Sequence, residues 1–403
     1  MKKIEGGVCA PEGFKANGVH CGIRKNKTKR DLSLIVSDVR CAAACVYTQN
    51  LVKGAPIAVT KRHVADGYAQ AIVCNSGNAN TCNANGEAIA EGMCKLVSER
   101  TGIPAEDVVV ASTGVIGQPL SLDPIAAGMD ELVKGLGDNS LFAAQGIMTT
   151  DTVDKQIAYT FTLGGKECRI GAIGKGVGMI NPNMATMLIF ITTDVSISPA
   201  MLQKALSADV KDSFNMVSVD GDTSTNDMVC VLANGQAGNA CIEENGKDFV
   251  TFRKALNKVT TNLCRRIAKD GEGATKLLEC KVVGAKSKNA AKLIAKSVIK
   301  SSLFKAAMFG ADANWGRVLC AIGYAGADAD ITKIDVDFKS KAGTLAVCRG
   351  GSGIPFSEEE AKEILSCDEI EILINMNDRG GRATAWGCDL TYDYVKINGD
   401  YRT

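Results

Sequence analysis

The chain has 403 residues, enough for one large or two ordinary domains with a substantial core. Its 46 Lys+Arg nearly cancel 45 Asp+Glu, a balance that argues against a nucleic-acid-binding or membrane-surface protein. No apolar run approaches the ~20 residues of a membrane span, and MKKIEGGVCAPEGF at the N-terminus lacks the apolar segment of a secretory signal. A cytoplasmic protein is the expectation.

Apolar spacing predicts helices and strands in alternation along the chain. In order, it gives a strand over Ala71–Cys74, a helix over Glu87–Thr101, a strand over Val108–Ser112 and a helix over Pro124–Gly135. A strand over Met187–Thr192 follows, then a helix over Pro199–Phe214, a strand over Met228–Ala233 and helices over Val250–Lys269 and Ala290–Phe309. Strands over Glu369–Ile374 and Ala383–Trp386 complete the series. This pattern indicates an α/β (α+β) fold with mixed sheets covered by helices. The 42 glycines mark tight turns and close backbone approaches. Tyr392, Tyr394 and Tyr401 crowd the C-terminal end, so the terminus is expected to dock rather than fray.

Sixteen cysteines and two histidines limit the chemistry. There is no CxxC pair, and Cys41 and Cys45 form the single CxxxC, so zinc-ligand spacing is absent and no metal is expected. Cys74, Cys230, Cys320 and Cys348 lie in apolar stretches, where a free thiol packs as a small hydrophobe. Both histidines, His20 and His63, are read as structural. Catalysis would then fall to Thr, Lys, a carboxylate or a terminal amine.

Five segments offer such groups, each with a plain structural alternative. KGVGMINPNMATMLIFITTD (Lys175–Asp194) runs from a loop of small residues into a dense apolar strand, with Ala185 and Thr186 at the junction. A cut before Thr186 would give a threonine whose α-amine serves as base for its own hydroxyl; an ordinary loop-to-strand junction has the same composition. GAIGKGVGM (Gly171–Met179) resembles a phosphate loop but fits neither GxGxxG nor the Walker pattern, and Lys175 is its one charge. VVVASTGVIG (Val108–Gly117) delivers Ser112, Thr113 and Gly114 at a strand end, either an oxyanion site or a capped turn. VDGDTSTND (Val219–Asp227) lacks the glycine and glutamate of a calcium loop, and Asx and Ser/Thr turns explain it better. KDGEGATK (Lys269–Lys276) presents Glu272 between glycines as an exposed carboxylate, or simply as part of a helix stop.

Taken together and in this order, these segments resemble the ornithine acetyltransferase (glutamate N-acetyltransferase) family of arginine biosynthesis. The resemblance runs through APEGFKANGVHCGI, NSGNAN (Asn75–Asn80), ASTGVIG (Ala111–Gly117), IMTTDT (Ile147–Thr152), KGVGMINPNMATML, VDGDTSTND, DGEGATK, DANWGR (Asp312–Arg317) and ATAWGCDLTYDYVKIN (Ala383–Asn398). Departures are slight: Asn181 stands where many relatives carry histidine, and cysteines are unusually many.

The resemblance implies a layered αββα-type sandwich and self-cleavage between Ala185 and Thr186. An alpha chain of residues 1–185 and a beta chain of residues 186–403 would result, commonly assembled as two of each. Thr186 would be the nucleophile, with Thr113 and Gly114 stabilising the oxyanion. Thr150, Lys175, Thr186, Glu272, Asn398 and Thr403 would contact substrate. Acetyl would pass from N-acetylornithine to Thr186 and then to glutamate, with no bound cofactor. Some members also take acetyl from acetyl-CoA; the sequence does not separate the two kinds, and likeness to bacterial members favours dual use. From charge alone, Lys175 could take a substrate carboxylate and Glu272 an ammonium, a division open to reversal or to sharing with the backbone. The competing reading is an N-terminal-threonine amidase or aminopeptidase that releases the acyl group to water. A non-enzymatic amino-acid-binding protein on the same fold is a third.

Overall fold

The structure, a computed structural model, describes residues 1–181 and 187–400. The chain divides into two compact units, one comprising residues 1–176, 183–211 and 223–263, the other 177–182, 212–222 and 264–403.

The first unit is built on a nine-stranded mixed sheet. Its strands are β1 (Lys2–Ile4), β2 (Phe14–Val19), β3 (Leu32–Tyr47), β4 (Tyr68–Asn78), β5 (Val108–Val115), β6 (Lys155–Leu163), β7 (Lys166–Lys175) and β8 (Leu188–Thr193). After a short strand of the second unit, β9 (Val217–Ser218), the sheet is completed by β10 (Met228–Ala233). The order is β1-β6-β7-β8-β10-β3-β4-β5, with β2 paired to β3. β8 and β10 are buried at every residue, the mark of strands covered on both faces. They run parallel to one another, between antiparallel neighbours β7 and β3. Gly164 and Gly165, at φ +52° and +81°, form the two-residue turn joining β6 to β7.

Helices fill both faces. Ile89, Ala90, Met93 and Val97 of α2 (Gly86–Thr101), spaced three and four apart, meet Val73 and Val110 in one core, after α1 (Ala55–His63). Ile125, Met129 and Leu132 of α3 (Asp123–Lys134) join them. On the opposite face, Ala143, Ala144 and Ile147 of α4 (Ser140–Ile147) pack with Ile173, Leu188 and Cys230. α5 (Pro199–Asp209) stops short of the predicted Phe214, and the chain leaves the first unit within α6 (Lys247–Lys269).

The second unit carries a seven-stranded mixed sheet: β9, β11 (Leu277–Ala285), β12 (Asp335–Ser340), β13 (Gly343–Arg349), β14 (Ser352–Gly353), β15 (Glu369–Asn375) and β16 (Gly381–Cys388). In β15, Ile370, Ile372 and Ile374 point inward and alternate with more exposed residues. The predicted helix Ala290–Phe309 is two helices, α7 (Lys288–Lys300) and α8 (Ser302–Phe309). Ser301 is extended at φ −67°, ψ 109°, and its hydroxyl caps α8 by accepting from Phe304 N–H at 3.3 Å. α9 (Trp315–Gly323), α10 (Glu358–Leu365) and α11 (Tyr392–Gly399) follow.

The fold is α/β, with mixed sheets covered by helices. Two expectations need correction. α11 buries no residue, and Tyr392 is 85 % exposed, its ring meeting Phe309 edge-on at 5.7 Å. Aromatic burial therefore does not hold α11, and Tyr401 lies outside the described residues. Cys320 is exposed on α9 rather than packed, although all sixteen cysteines are free thiols and most are buried. Among the described residues no helix is long and apolar enough to cross a membrane.

Candidate functional site

In the first unit, β4 and β5 run parallel and end side by side, with Ser76 opposite Thr113 and Gly77 opposite Gly114. Gly114 has φ +134°, and a Cβ there would collide with the Gly77 backbone. Glycine is required at that point, where two backbones approach and their polar groups crowd together. Thr113 is buried beside it. Ser112 donates its hydroxyl to Asn75 Oδ1 at 2.6 Å, which fixes the strand end.

Lys175 closes β7, and the GAIGK part of its glycine-rich segment is strand rather than loop. The close approaches inferred from its glycines are real, since a Cβ on Gly171 would strike Gly7 O. Lys175 Nζ lies 3.1 Å from Thr149 Oγ1. The turn carrying Thr149 and the half-buried Thr150 is organised by Asp151, which accepts from Thr149 N–H at 2.9 Å and from Gly176 N–H at 3.0 Å. Asp151 also pairs with Lys155 at 2.7 Å, both side chains fully enclosed. Burial alone would raise the Asp151 carboxyl, but Lys155, Lys175 and these hydrogen bonds outweigh it and hold it below the usual carboxylate range. Burial lowers the Lys175 amine against the opposing pull of Asp151 and Asp227. Asp227 is itself buried, and burial pushes its carboxyl well up despite Ser224, Lys175 and Thr48.

Asn226 joins this cluster to the strand end. Its Nδ2 donates to Ala79 O at 2.6 Å and Ser112 O at 3.0 Å, while its Oδ1 accepts from Thr81 at 2.7 Å. The next residue, Asp227, accepts Thr48 N–H at 3.0 Å through its carbonyl and leads into β10. Thr113, Gly114, Thr150 and Lys175 are thus all set on one polar framework. The sequence marked none of Thr149, Asp151 and Asn226, and offered Asp227 only as one carboxylate of an incomplete calcium loop. Asp151 lies within IMTTDT and the last two within VDGDTSTND, where they read only as turn residues.

In the second unit, Glu272 and Asn398 come together, with Asn398 Nδ2 donating to Glu272 Oε2 at 2.8 Å. Glu272 is buried, not exposed as expected. The flanking glycines let the chain fold its carboxylate inward, and a Cβ on Gly178 would run into it. Asn398 belongs to α11, whose start is fixed by Thr391 donating to Gly273 O at 2.7 Å. Ala185, Thr186 and Thr403 lie outside the described residues.

The histidines have structural partners. His20 Nδ1 is 2.9 Å from Lys29 O, and His63 Nδ1 is 2.8 Å from Val108 O. Among the described residues no group of three His, Cys, Asp or Glu side chains is placed to hold a metal ion.

Comparison with known proteins extends over the whole chain. The family model described as the ArgJ family matches residues 15–403. The Arginine biosynthesis bifunctional protein ArgJ 1 of Clostridium acetobutylicum is 50% identical over 392 residues, covering 97% of this chain and 96% of that protein. The Arginine biosynthesis bifunctional protein ArgJ of Caldanaerobacter subterraneus subsp. tengcongensis is 48% identical, covering 100% of both. The crystal structure of Arginine biosynthesis bifunctional protein argJ from Bacillus halodurans superposes with a TM-score of 0.51 at 46% identity, covering 53% of this chain and 99% of that one. With a family model and relatives that span it almost from end to end, the chain belongs to the ArgJ family.

Proposed function

We propose that this protein is the acetyltransferase of arginine biosynthesis that moves acetyl from N-acetylornithine to glutamate through an acetyl-Thr186 ester. The observation that carries the reading is near-half identity along the entire length to proteins named for arginine biosynthesis. The framework around Thr113, Gly114 and Lys175 supports it.

The cycle starts with self-cleavage. Thr186 Oγ attacks the Ala185 carbonyl carbon, the Ala185–Thr186 C–N bond breaks, and the hydroxyl proton ends on the departing nitrogen. Water then hydrolyses the ester, leaving an Ala185 carboxylate and Thr186 with a free hydroxyl and amine. That amine titrates near ~8 and accepts the hydroxyl proton as Oγ attacks the acetyl carbonyl. Donors from Thr113 and Gly114 stabilise the oxyanion, each worth ~3 kcal/mol in comparable sites. Ornithine leaves with the proton, and glutamate's amine takes the acetyl group. Lys175, Glu272, Thr150, Asn398 and Thr403 hold the amino-acid ends.

The crystallised Bacillus halodurans chain matches only about half of this one, a length that residues 186–403 would supply, which supports division into residues 1–185 and 186–403. The word bifunctional in the relatives' names favours acetyl-CoA as a second acetyl donor to glutamate. Two copies of each chain, in the cytoplasm, complete the proposal.

The deciding experiment is the denatured intact mass of the purified protein, followed by acetyl transfer from N-acetylornithine with and without glutamate. Two chains meeting at Ala185–Thr186, with glutamate-dependent ornithine release, are expected. A cut protein releasing free acetate regardless of glutamate would make it the hydrolase instead. Thr186→Ala should remain a single inactive chain.

A further inference from the structure

Within the first unit, β3 and β10 run antiparallel with Cys45 directly opposite Cys230. Among the described residues this is the one place where two cysteines face each other across a strand ladder. Both belong to one core cluster with Ala43, Met228 and Leu232, so their side chains share a face of the sheet. Backbone bonding shows which kind of pair they form. Beyond Ala42, β3 no longer pairs with β4, and its outer edge takes other partners. Ala43 N–H donates to Gly67 O at 2.8 Å, Cys45 N–H donates to Gln203 Oε1 at 3.2 Å, and Gln203 Nε2 donates to Cys45 O at 3.3 Å. Both backbone groups of Cys45 therefore point away from β10. Cys45 and Cys230 are a non-hydrogen-bonded pair, the kind in which Cα atoms stand about 4.5 Å apart and side chains lie closest. A disulfide spans Cα separations of roughly 4.4–6.8 Å.

The two thiols differ in access. Cys230 is fully enclosed, and the adjacent Cys45 side chain, together with burial, pushes its thiol well above the ordinary 9.0. Cys45 keeps 7 % of its surface exposed and lines a cleft of about 390 Å³ with Tyr47, Lys61, Pro199 and Gln203. Such a volume admits a peroxide. One thiol is reachable and the other is held against it, the arrangement of an attacking and a resolving cysteine.

We propose that Cys45 and Cys230 are a redox modification site, closing to a cross-strand disulfide when a peroxide enters the cleft. Cys45 Sγ attacks one peroxide oxygen and the O–O bond breaks, giving a sulfenic acid and one water. Cys230 Sγ then attacks the Cys45 sulfur. The S–S bond forms, the S–O bond breaks, and the hydroxyl leaves with the Cys230 proton as a second water. Two thiols are oxidised and one peroxide is reduced to two waters. A small thiol reverses the bond by exchange. One consequence rests on the cleavage reading above: Cys45 lies in residues 1–185 and Cys230 in 186–403, so the disulfide would join the two chains covalently.

The test exposes the folded, purified protein to hydrogen peroxide, blocks the remaining thiols under denaturing conditions, and reads peptides and intact mass without reductant. A peptide joining Cys45 to Cys230, lighter by two hydrogens than its parts and split by dithiothreitol, is expected. It should form about tenfold or more faster in the folded protein than in urea, because the fold holds the two sulfurs together. Cys45→Ala should abolish it while the exposed Cys82, Cys241 and Cys320 still react. Should that variant not fold, Cys45→Ser takes its place. In a cut protein, oxidation should also merge the two chain masses into one. Oxidation of Cys45 beyond the sulfenic acid with no linked peptide, an unreactive Cys45, or linkage as fast in urea as in the folded protein would each overturn the pairing. A linked peptide from a chain that never cuts would leave the disulfide standing and overturn the cleavage reading instead.

Discussion

Asp151 shows how a charge survives full enclosure at the candidate site. It meets the Lys155 ammonium and two backbone N–H groups, so neither partner of the ion pair is left bare. Removing one member of such a pair strands the other, typically at a cost of ~3–5 kcal/mol. Asp151→Asn should therefore lose about that much stability in urea unfolding; a loss below ~1 kcal/mol would mean the pair is effectively solvated. The pH dependence follows from the lowered carboxyl. Its contribution is fully present above the unfolded value of ~3.9 and fades as pH falls through the lower folded value. The asparagine variant should lack that acid limb. Thr113 and Gly114 were singled out through the family resemblance of ASTGVIG, since an apolar run ending in Ser-Thr-Gly reads equally well as a capped turn. Asp151 was not, because Thr-Thr-Asp-Thr reads equally well as a turn, and only tertiary folding brings Lys175 and Gly176 to it.

Segments fared unevenly for reasons visible in their residues. Met228–Ala233 was found to the residue because its six apolar side chains have no turn-former among them. The sixteen-residue β3 was missed: Asp38, Val39 and Arg40 project from a bulged middle, and the Ala/Cys-rich half carries little strand preference. The junction of α7 and α8 was hidden because the apolar period continues across Ser301. Ser301→Ala should cost ~1 kcal/mol, read by chemical unfolding, through loss of the α8 cap. An unchanged midpoint would show the hydroxyl to be dispensable. The β9 edge, where the Val217 carbonyl accepts from Lys296 Nζ at 2.6 Å, carries a pH signature of the same sign as that of Asp151, displaced to higher pH. Desolvation, helped by Lys300, lowers Lys296 from the ordinary 10.5 to about 7. Between those values the unfolded chain binds the extra proton, so stability rises as pH increases from about 7 toward 10.5. Lys296→Met should flatten that rise; equal slopes in both proteins would remove Lys296 from the account.

Across the whole chain, the compact units do not follow the proposed cut, because each gathers segments from both sides of residue 186. The family resemblance implied two successive chains, 1–185 and 186–403; the pairing of distant strands, invisible to local spacing, draws on both in one sheet. Conversely, the class of fold was legible because alternating helix and strand periods survive in any arrangement of the same elements.

The order β7-β8-β10-β3 has a consequence for reversibility. Two strands from beyond residue 186 are threaded between two from before it. While the chain is continuous, that threading is an event within one molecule. Once it is severed, the same sheet can be regained only when two separate polypeptides meet. Refolding from denaturant should thus be independent of concentration for uncut Thr186→Ala and second-order for the mature protein. Equal, concentration-independent recovery in both would show that the fragments fold separately before docking. On the expected outcome the cut acts as a ratchet, leaving a protein that assembles readily once and poorly ever after.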